Sequence, residues 1–404
     1  MSQPHTLATE FPFIARHPDL VYLDSAATTQ KPQVVLDALM HTYQNDYANV
    51  HRGAHQLSER ATSAYEATRH QLMRFLNVPK PEQVIFTHGT TESINMVAKG
   101  LLKQVQPNDL ILVDQTAHHA NLVPWQVLAR EAELQLKTIP LDTQGCIDIA
   151  AFERLLQHKP KIVALSHVSN VLGSCNDVCK LTQLAHQYGA WVLVDGAQAV
   201  GHFSVDISAI NCDYYVFSSH KMYGPSGVGV LTGKQDALER LEPLLTGGEM
   251  VVQVSYESSR YQDLPHRLEA GTPPIAEVIA FNAALSWLMQ KDRAQLFAQE
   301  QNLIRTMRQA LSEIEGIELY GASDHPVGVI AFNLTGHHHY DVTALLDQHG
   351  ILMRSGHHCA MPLLQSLGIE GCCRLSIGLY TQPEDMQKTI EIIQQVKVFL
   401  DELE

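Results

Sequence analysis

Trp191-Val192-Leu193-Val194-Asp195-Gly196-Ala197-Gln198 is an apolar, β-favouring run that ends in a carboxylate and then a glycine. A continuous apolar run of this length is the mark of a strand buried on both faces of a mostly parallel sheet, where an alternating run would mark a half-exposed one. Runs of the same kind lie on either side of it: Val84-Ile85-Phe86, Leu110-Ile111-Leu112-Val113, Ile162-Val163-Ala164-Leu165, Tyr215-Val216-Phe217 and Val228-Gly229-Val230-Leu231. Between them the text turns helical. In the stretch 93–102, Ile94, Val97, Ala98 and Leu101 share one face at i, i+3, i+4, i+7 spacing. Alternating strands and helices predict an α/β architecture with helices on both sides of a central sheet.

After about residue 290 the pattern changes. A helical stretch over 293–314 is followed by short strand-like runs at 329–332 and 374–377, and a helix closes the chain. That last helix carries Thr381 as a candidate cap, then Pro383, Glu384 and Asp385 in its first turn. Met386, Ile390, Ile393, Val396 and Leu400 form its apolar face. The expected division is a large α/β unit over 21–289 and a smaller α+β unit made of 1–20 and 290–404.

The bulk numbers narrow the class. The chain has 404 residues, 45% hydrophobic and 18% charged, as in a globular enzyme with room for two or three domains. A net charge of −15 leaves no basic stripe for nucleic acid. Residues 1–11 lack the basic start and apolar run of a signal peptide, and the apolar stretch 278–289 is interrupted and too short to span a bilayer. A cytosolic protein is expected. The seven cysteines are an odd count and read as free thiols. Cys175 and Cys179 form a lone pair without the second pair a zinc site needs, and His337-His338-His339 reads as a surface or loop feature.

The chemistry is concentrated where strands end, which is where open α/β sheets bind ligands. The run from Trp191 ends in Asp195. The run through Phe217 enters Ser218-Ser219-His220-Lys221-Met222-Tyr223-Gly224-Pro225, which sets a lysine suited to a Schiff base before a Gly-Pro turn. The run through Phe86 enters Thr87-His88-Gly89-Thr90-Thr91 and a helix, whose free N–H groups suit a phosphate. A carboxylate for a ring nitrogen, a lysine for an aldehyde and a phosphate cradle together fit pyridoxal phosphate. Far downstream, Arg354-Ser355-Gly356-His357-His358-Cys359-Ala360 places a cysteine among cationic side chains on a glycine-containing loop, a setting for a reactive thiolate. Cys372 and Cys373, in an apolar segment, read as buried and inert. Taken singly, Asp195 also fits a helix cap, His118 a side chain that satisfies a backbone group, and His51-Arg52 a surface pair.

Asp195-Gly-Ala-Gln198 and Ser218-Ser-His-Lys221-Met-Tyr-Gly-Pro225 resemble the class V branch of the fold-type I pyridoxal-phosphate enzymes. Within that branch the chain is similar to the group II, SufS/CsdA-like cysteine desulfurases. The similar segments span nearly the whole sequence: Tyr22-Leu-Asp-Ser-Ala-Ala27, Asn49-Val-His-Arg-Gly53, Gly89-Thr-Thr-Glu92, His118-His-Ala-Asn-Leu-Val-Pro-Trp125, His167-Val-Ser-Asn170, Leu268-Glu-Ala-Gly-Thr-Pro273 and the Cys359 loop. Two positions depart from the pattern, Ala117 where Glu often stands and Thr246 where a third glycine is common.

The resemblance implies a fold with a central, mostly parallel seven-stranded sheet, and it implies roles. Lys221 would hold the cofactor aldehyde and move protons, Asp195 would pair with the ring nitrogen, Gln198 would bond the phenolate oxygen, and His118 would stack on the ring. Thr90, Thr91, Ser218 and His220 would hold the phosphate, joined by Thr272 of a second subunit. Asn170 and Arg374 would fix the substrate carboxylate, Arg354 would also bind substrate, and His51 and Arg52 would lie near the entrance. Cys359 would attack the sulfur of L-cysteine, leaving L-alanine and an enzyme persulfide for a SufE/CsdE-like acceptor in iron–sulfur cluster assembly or related sulfur transfer. L-selenocysteine is the alternative substrate, with alanine and selenide as products. An aminotransferase or epimerase of the same branch would have no use for the Cys359 thiol.

Overall fold

Both faces of the central sheet are covered over all but one edge strand, which is why six of its strands read as unbroken hydrophobic runs. A computed structural model describes residues 7–321 and 326–403. Among these the sheet has seven strands: β1 (Val84–Thr87), β2 (Leu110–Asp114), β3 (Gln135–Ile139), β4 (Ile162–Ser166), β5 (Trp191–Asp195), β6 (Tyr214–Ser218) and β7 (Gly229–Gly233). Their spatial order is β1-β7-β6-β5-β4-β2-β3, with β7 antiparallel to both neighbours and the other pairings parallel. Side chains along each strand alternate between two cores. Val163, Leu165, Val192, Val194, Tyr215 and Phe217 enter one, while Ile162, Ala164, Leu193, Tyr214 and Val216 enter the other.

Strand β3 has no counterpart among the apolar runs of the sequence. It is an edge strand whose Gln135, Lys137 and Thr138 are exposed, so it carries no continuous hydrophobic text, and Lys137 guards the open edge. The strand order reverses between β2 and β4, so the carboxyl ends of the neighbouring strands open around a crevice there.

Helix α1 (Gln56–Phe75) and the buried helix α2 (Thr90–Gly100) flank this sheet, and α3 (Ile275–Met289) packs on α1. Helix α2 starts at Thr90, three residues before the expected start, because Gly89 frees the chain directly after β1. A Cβ at Gly229 would lie 2.5 Å from the Gly89 Cα, so this turn and β7 are pressed together. The apolar stretch 278–289 is the core of α3, apolar because it is buried among other elements. Among the described residues no helix is long and apolar enough to cross a membrane.

A second, antiparallel sheet comprises β8 (Ile317–Tyr320), β9 (Val329–Leu334), β10 (Arg354–Gly356) and β11 (Cys372–Ser376), in the order β8-β9-β11-β10. It packs with the closing helix α4 (Pro383–Asp401), through Met386, Ile393 and Val396, with Ile390 and Leu400 at the margin. The cap of α4 is Gln382, one residue beyond the expected Thr381. Asp385 completes a capping box with Gln382, and the Thr381 hydroxyl accepts the Gly378 N–H instead. The His337-His338-His339 triple opens a helix, with His338 Nδ1 accepting the Tyr340 N–H, and His337 pairs with Asp401. The expected smaller unit includes residues 1–6, 322–325 and 404, which lie outside the described residues.

One buried ionic network ties α1 to the sheet. Arg69 is 1% exposed and grips both oxygens of Glu269, at 2.8 and 3.0 Å, while its Nε donates to Glu66. Glu269 in turn accepts the Phe86 N–H, and the Arg69 guanidinium lies over the Phe86 ring. Arg69→Met leaves the Glu269 carboxylate enclosed without a counter-charge. The expected loss of stability in urea unfolding is about 3–5 kcal/mol, and a loss under about 1 kcal/mol would show that the network adds nothing.

Candidate active site

The crevice at the strand ends is a cavity of about 250 Å³. The sheet delivers most of its lining: His118 from the turn after β2, Ser166 from the end of β4, Asp195 from the end of β5, and Ser218, His220 and Lys221 from the end of β6 and the turn beyond. Thr90 and Thr91 come from the start of α2, and Asn170 from the loop after β4. The antiparallel sheet closes the other side with Arg354, His358, Cys359 and Arg374.

Loss of hydration dominates the electrostatics. It pushes the Lys221 amine down to about 8, with Asp195 opposing and Arg374 adding to the shift. It takes His118 to about 3 and His220 to about 4, both helped by the nearby Lys221 charge, so both rings are neutral. His118 Nδ1 accepts the Ala120 N–H, which leaves its proton on Nε2. Burial raises the Asp195 carboxyl above its ordinary value, while the Ala197 N–H on Oδ1, 2.9 Å away, and Lys221 hold it back.

At one end of the cavity the Thr90 N–H donates to Ser218 Oγ at 2.8 Å, and the two hydroxyls are 2.7 Å apart. Behind the same turn the half-buried Lys31 ammonium, lowered by desolvation to about 8, donates to the His220 carbonyl at 3.0 Å. Gln198 is turned by an amide N–H bond to the Ala26 carbonyl, which leaves its second amide proton for the cavity.

At the other end, Arg374 is 2% exposed, with Nη2 3.0 Å from Asp24 Oδ1 and Nη1 donating to the Asn170 carbonyl. Its Nε is buried without a partner. Arg354 stands directly opposite Arg374 in the β10–β11 register. Two guanidinium groups against one carboxylate leave an excess of positive charge, suited to a planar anion. The Asn170 amide is committed to the His358 carbonyl at 2.7 Å. Cys359 is exposed at the mouth, on a loop whose residues 358 and 359 are both left-handed, at φ 49° and 55°.

His358 does not supply the positive charge expected of it. It is buried and pushed down to about 3 by desolvation and then by Arg374, and its Nε2 donates to the Cys372 carbonyl. Cys372 and Cys373 are fully buried, with thiols pushed up by burial. Within this single chain His51, Arg52 and Thr272 lie away from the cavity. His51 bonds Glu66 at 3.0 Å, Arg52 pairs with Glu249, and Thr272 lines a neighbouring cleft with His51. Asp24, Lys31 and His119 shape the site without having been singled out from sequence, since what marks each is a partner far away in the chain.

The donor set fits pyridoxal phosphate: a partly neutral amine for the aldehyde, a buried carboxyl with an oxygen to spare for a ring nitrogen, and N–H and hydroxyl groups at a helix start for the phosphate. Comparison with known proteins agrees. The chain matches the class-V aminotransferase family over residues 21–389. It is 44% identical to a probable cysteine desulfurase of Vibrio cholerae, with 93% of each chain covered. It is 43% identical to a cysteine desulfurase of Serratia proteamaculans, over 97% of this chain and 98% of the relative. The crystal structure of the Escherichia coli cysteine desulfurase CsdA, in an S-sulfonic acid form, superimposes with a TM-score of 0.92 at 38% identity, covering 99% of both chains. The cofactor is pyridoxal phosphate and the substrate L-cysteine. With likeness running the length of the chain and through both walls of the crevice, the chain belongs to the class-V aminotransferases, among their group II cysteine desulfurases.

Proposed function

We propose that Cys359 is the group that takes the sulfur, and that the residues of the crevice divide the remaining work. The observation that carries the reading is the meeting of Lys221, Asp195, the paired arginines and Cys359 around one cavity. Pyridoxal phosphate, when bound, supplies the electron sink for negative charge at the substrate Cα. Lys221 holds the cofactor aldehyde and then carries the Cα proton on Nζ, a task for which an amine near 8 is well placed. Asp195 would pair with the ring nitrogen and favour its protonated form, Gln198 would offer its free amide proton to the phenolate oxygen, and the neutral His118 ring would stack on the ring. Thr90, Thr91, Ser218 and His220 receive the phosphate. Arg374 and Arg354 hold the substrate carboxylate, with Asn170 on its remaining amide proton.

The Cys359 thiolate bonds to the substrate sulfur, the Cβ–S bond breaks with its electron pair left on carbon, and a proton there completes alanine while the extra sulfur stays on Cys359. The loop that carries it spans only the gap between Gly356 and the short helix Met361–Ser366. Such a tether cannot carry sulfur far. An acceptor of the SufE/CsdE kind therefore approaches Cys359 and attacks with its own thiolate, in a reducing cytoplasm consistent with the free cysteines.

The placement of Thr272, His51 and Arg52 outside the single-chain cavity supports a homodimer that shares its sites, with Thr272 reaching the partner subunit's cofactor phosphate. Exposed Val34, Met40, Tyr43 and Tyr47, and Val252, Val254 and Tyr256 on the hairpin after β7, offer apolar surface for such an interface.

Cys359→Ala is expected to abolish sulfide release from cysteine while cofactor absorbance is retained. Mass spectrometry of the cysteine-treated wild type should find one extra sulfur on Cys359, and finding it on Cys372 or Cys373 would refute the assignment. Sedimentation should give a dimer, and a monomer with full activity at assay concentration rules out shared sites. Lys221 binds its proton less tightly in the folded chain, at about 8 against 10.5, so it weakens the cofactor-free fold fully below pH 8 and not at all above pH 10.5. Lys221→Met should therefore stabilise the cofactor-free protein at pH 7 by roughly 2–3 kcal/mol, a gain that vanishes as pH passes the upper value. Equal gains at both ends of that range would show that the amine is not desolvated.

A further inference from the structure

The peptide that carries Cys359 is gripped from the central sheet by one side chain and its own backbone. His119 follows His118 directly, at the start of the short turn His119–Asn121 beyond β2. Its main-chain N–H donates to the Cys359 carbonyl at 2.7 Å. Its ring Nε2 accepts the Met361 N–H at 3.1 Å. The two bonds bracket Ala360, fixing the peptide groups on either side of it.

Met361 is the first residue of the helix Met361–Ser366, whose N-cap, Ala360, has no side-chain oxygen to offer. The exposed donors at a helix start need partners. The imidazole of His119 fills that place from a different part of the fold, and it requires Nε2 to be unprotonated, with the proton on Nδ1. The need for such a grip is visible in the backbone. His358 and Cys359 are consecutive non-glycine residues in the left-handed region, at φ 49° and 55°. Each costs about 1 kcal/mol and persists only where surrounding contacts enforce it. Asn170 holds the His358 carbonyl and the His358 ring is tied to the Cys372 carbonyl, while among the described contacts only the His119 main-chain N–H holds the carbonyl of Cys359 itself.

We propose that His119 is the positioning residue of Cys359, clamping the loop so that the thiol is held in fixed register with the wall of the cavity that His118 lines. This deepens the reading of Cys359 as the sulfur-accepting group and rests on it. The carboxylate-binding arginines stand on β11 and β10, outside this clamp. The main-chain bond to the Cys359 carbonyl survives any replacement at 119 except proline, so losing the ring's bond to Met361 loosens the far side of Ala360; this should slow the step that needs the thiol in place and leave substrate binding alone.

The test uses the holoenzyme with His119→Ala and His119→Gln, since the Gln amide oxygen reaches about as far from Cα as the imidazole Nε2 and can accept the same N–H. His119→Ala should lower kcat for cysteine by roughly 10- to 100-fold with KM within about twofold, as a misplacement near 1 Å would. Its cofactor absorbance should match wild type. Amide exchange at Met361 and alkylation of Cys359 by iodoacetamide should both change, and His119→Gln should restore kcat and Met361 protection most of the way. An unchanged kcat and a protected Met361 amide in His119→Ala overturn the clamp, and so does a Gln variant as impaired as the Ala variant. Exchange and alkylation read the loop whether or not Cys359 takes the sulfur, so their failure counts against the clamp alone. A Cys359→Ala enzyme that still desulfurates counts against the reading beneath it.

Discussion

A guanidinium cannot shed its proton to escape burial, so Arg374 has to be answered by its surroundings. The answers come from three parts of the chain. Asp24 near the N-terminus supplies the counter-charge, the Asn170 carbonyl beyond β4 accepts a second bond, and β11 of the antiparallel sheet carries the side chain itself. Removing either partner would leave charge uncompensated in a dry place, which costs several kcal/mol. The two sheets are thereby obliged to meet at this point, and the crevice between them follows. The unpaired Nε marks where the arrangement is incomplete without an anion.

The same dryness sorts the remaining groups. Burial favours neutral forms, and Lys221, His118, His220 and His358 all shift in that direction, so the imidazoles add hydrogen-bonding groups without adding charge. Positive charge that no ordinary pH removes is left to the arginines, which hold it whatever their burial. The cavity thus separates two kinds of group by residue type, fixed charge at the arginine end and adjustable protons at the lysine end.

Most of the central sheet was legible because its strands are buried on both sides and cannot be anything but apolar. Strand β3 was not, since an edge strand may be polar without penalty, and periodicity then has nothing to report. The cap of α4 slipped by one residue because Thr381 and Gln382 are both able to cap, and only the position of Asp385 decides between them. In the site, Asp195, Ser218 and Lys221 were readable as strand endings. Asp24 and His119 were not, because the significance of each lies in a partner more than two hundred residues away, Arg374 in one case and Met361 in the other. The cationic setting expected around Cys359 was partly an illusion of adjacency: His358 is next to it in sequence but faces the Cys372 carbonyl.

That carbonyl belongs to one of two further thiols that sit close by. Cys372 is in register with Gly356, at the root of the Cys359 loop, and Cys373 follows it. Exchange between a persulfide and a neighbouring sulfur requires attack by a thiolate. Burial pushes Cys372 up to about 12 and Cys373 further still, so neither presents one at neutral pH. On the reading proposed for Cys359, sulfur bound there meets no competing thiolate at Cys372 or Cys373, and its lifetime is set by what arrives from solution. On that reading these two thiols are spectators, close to the loop in sequence register and chemically silent.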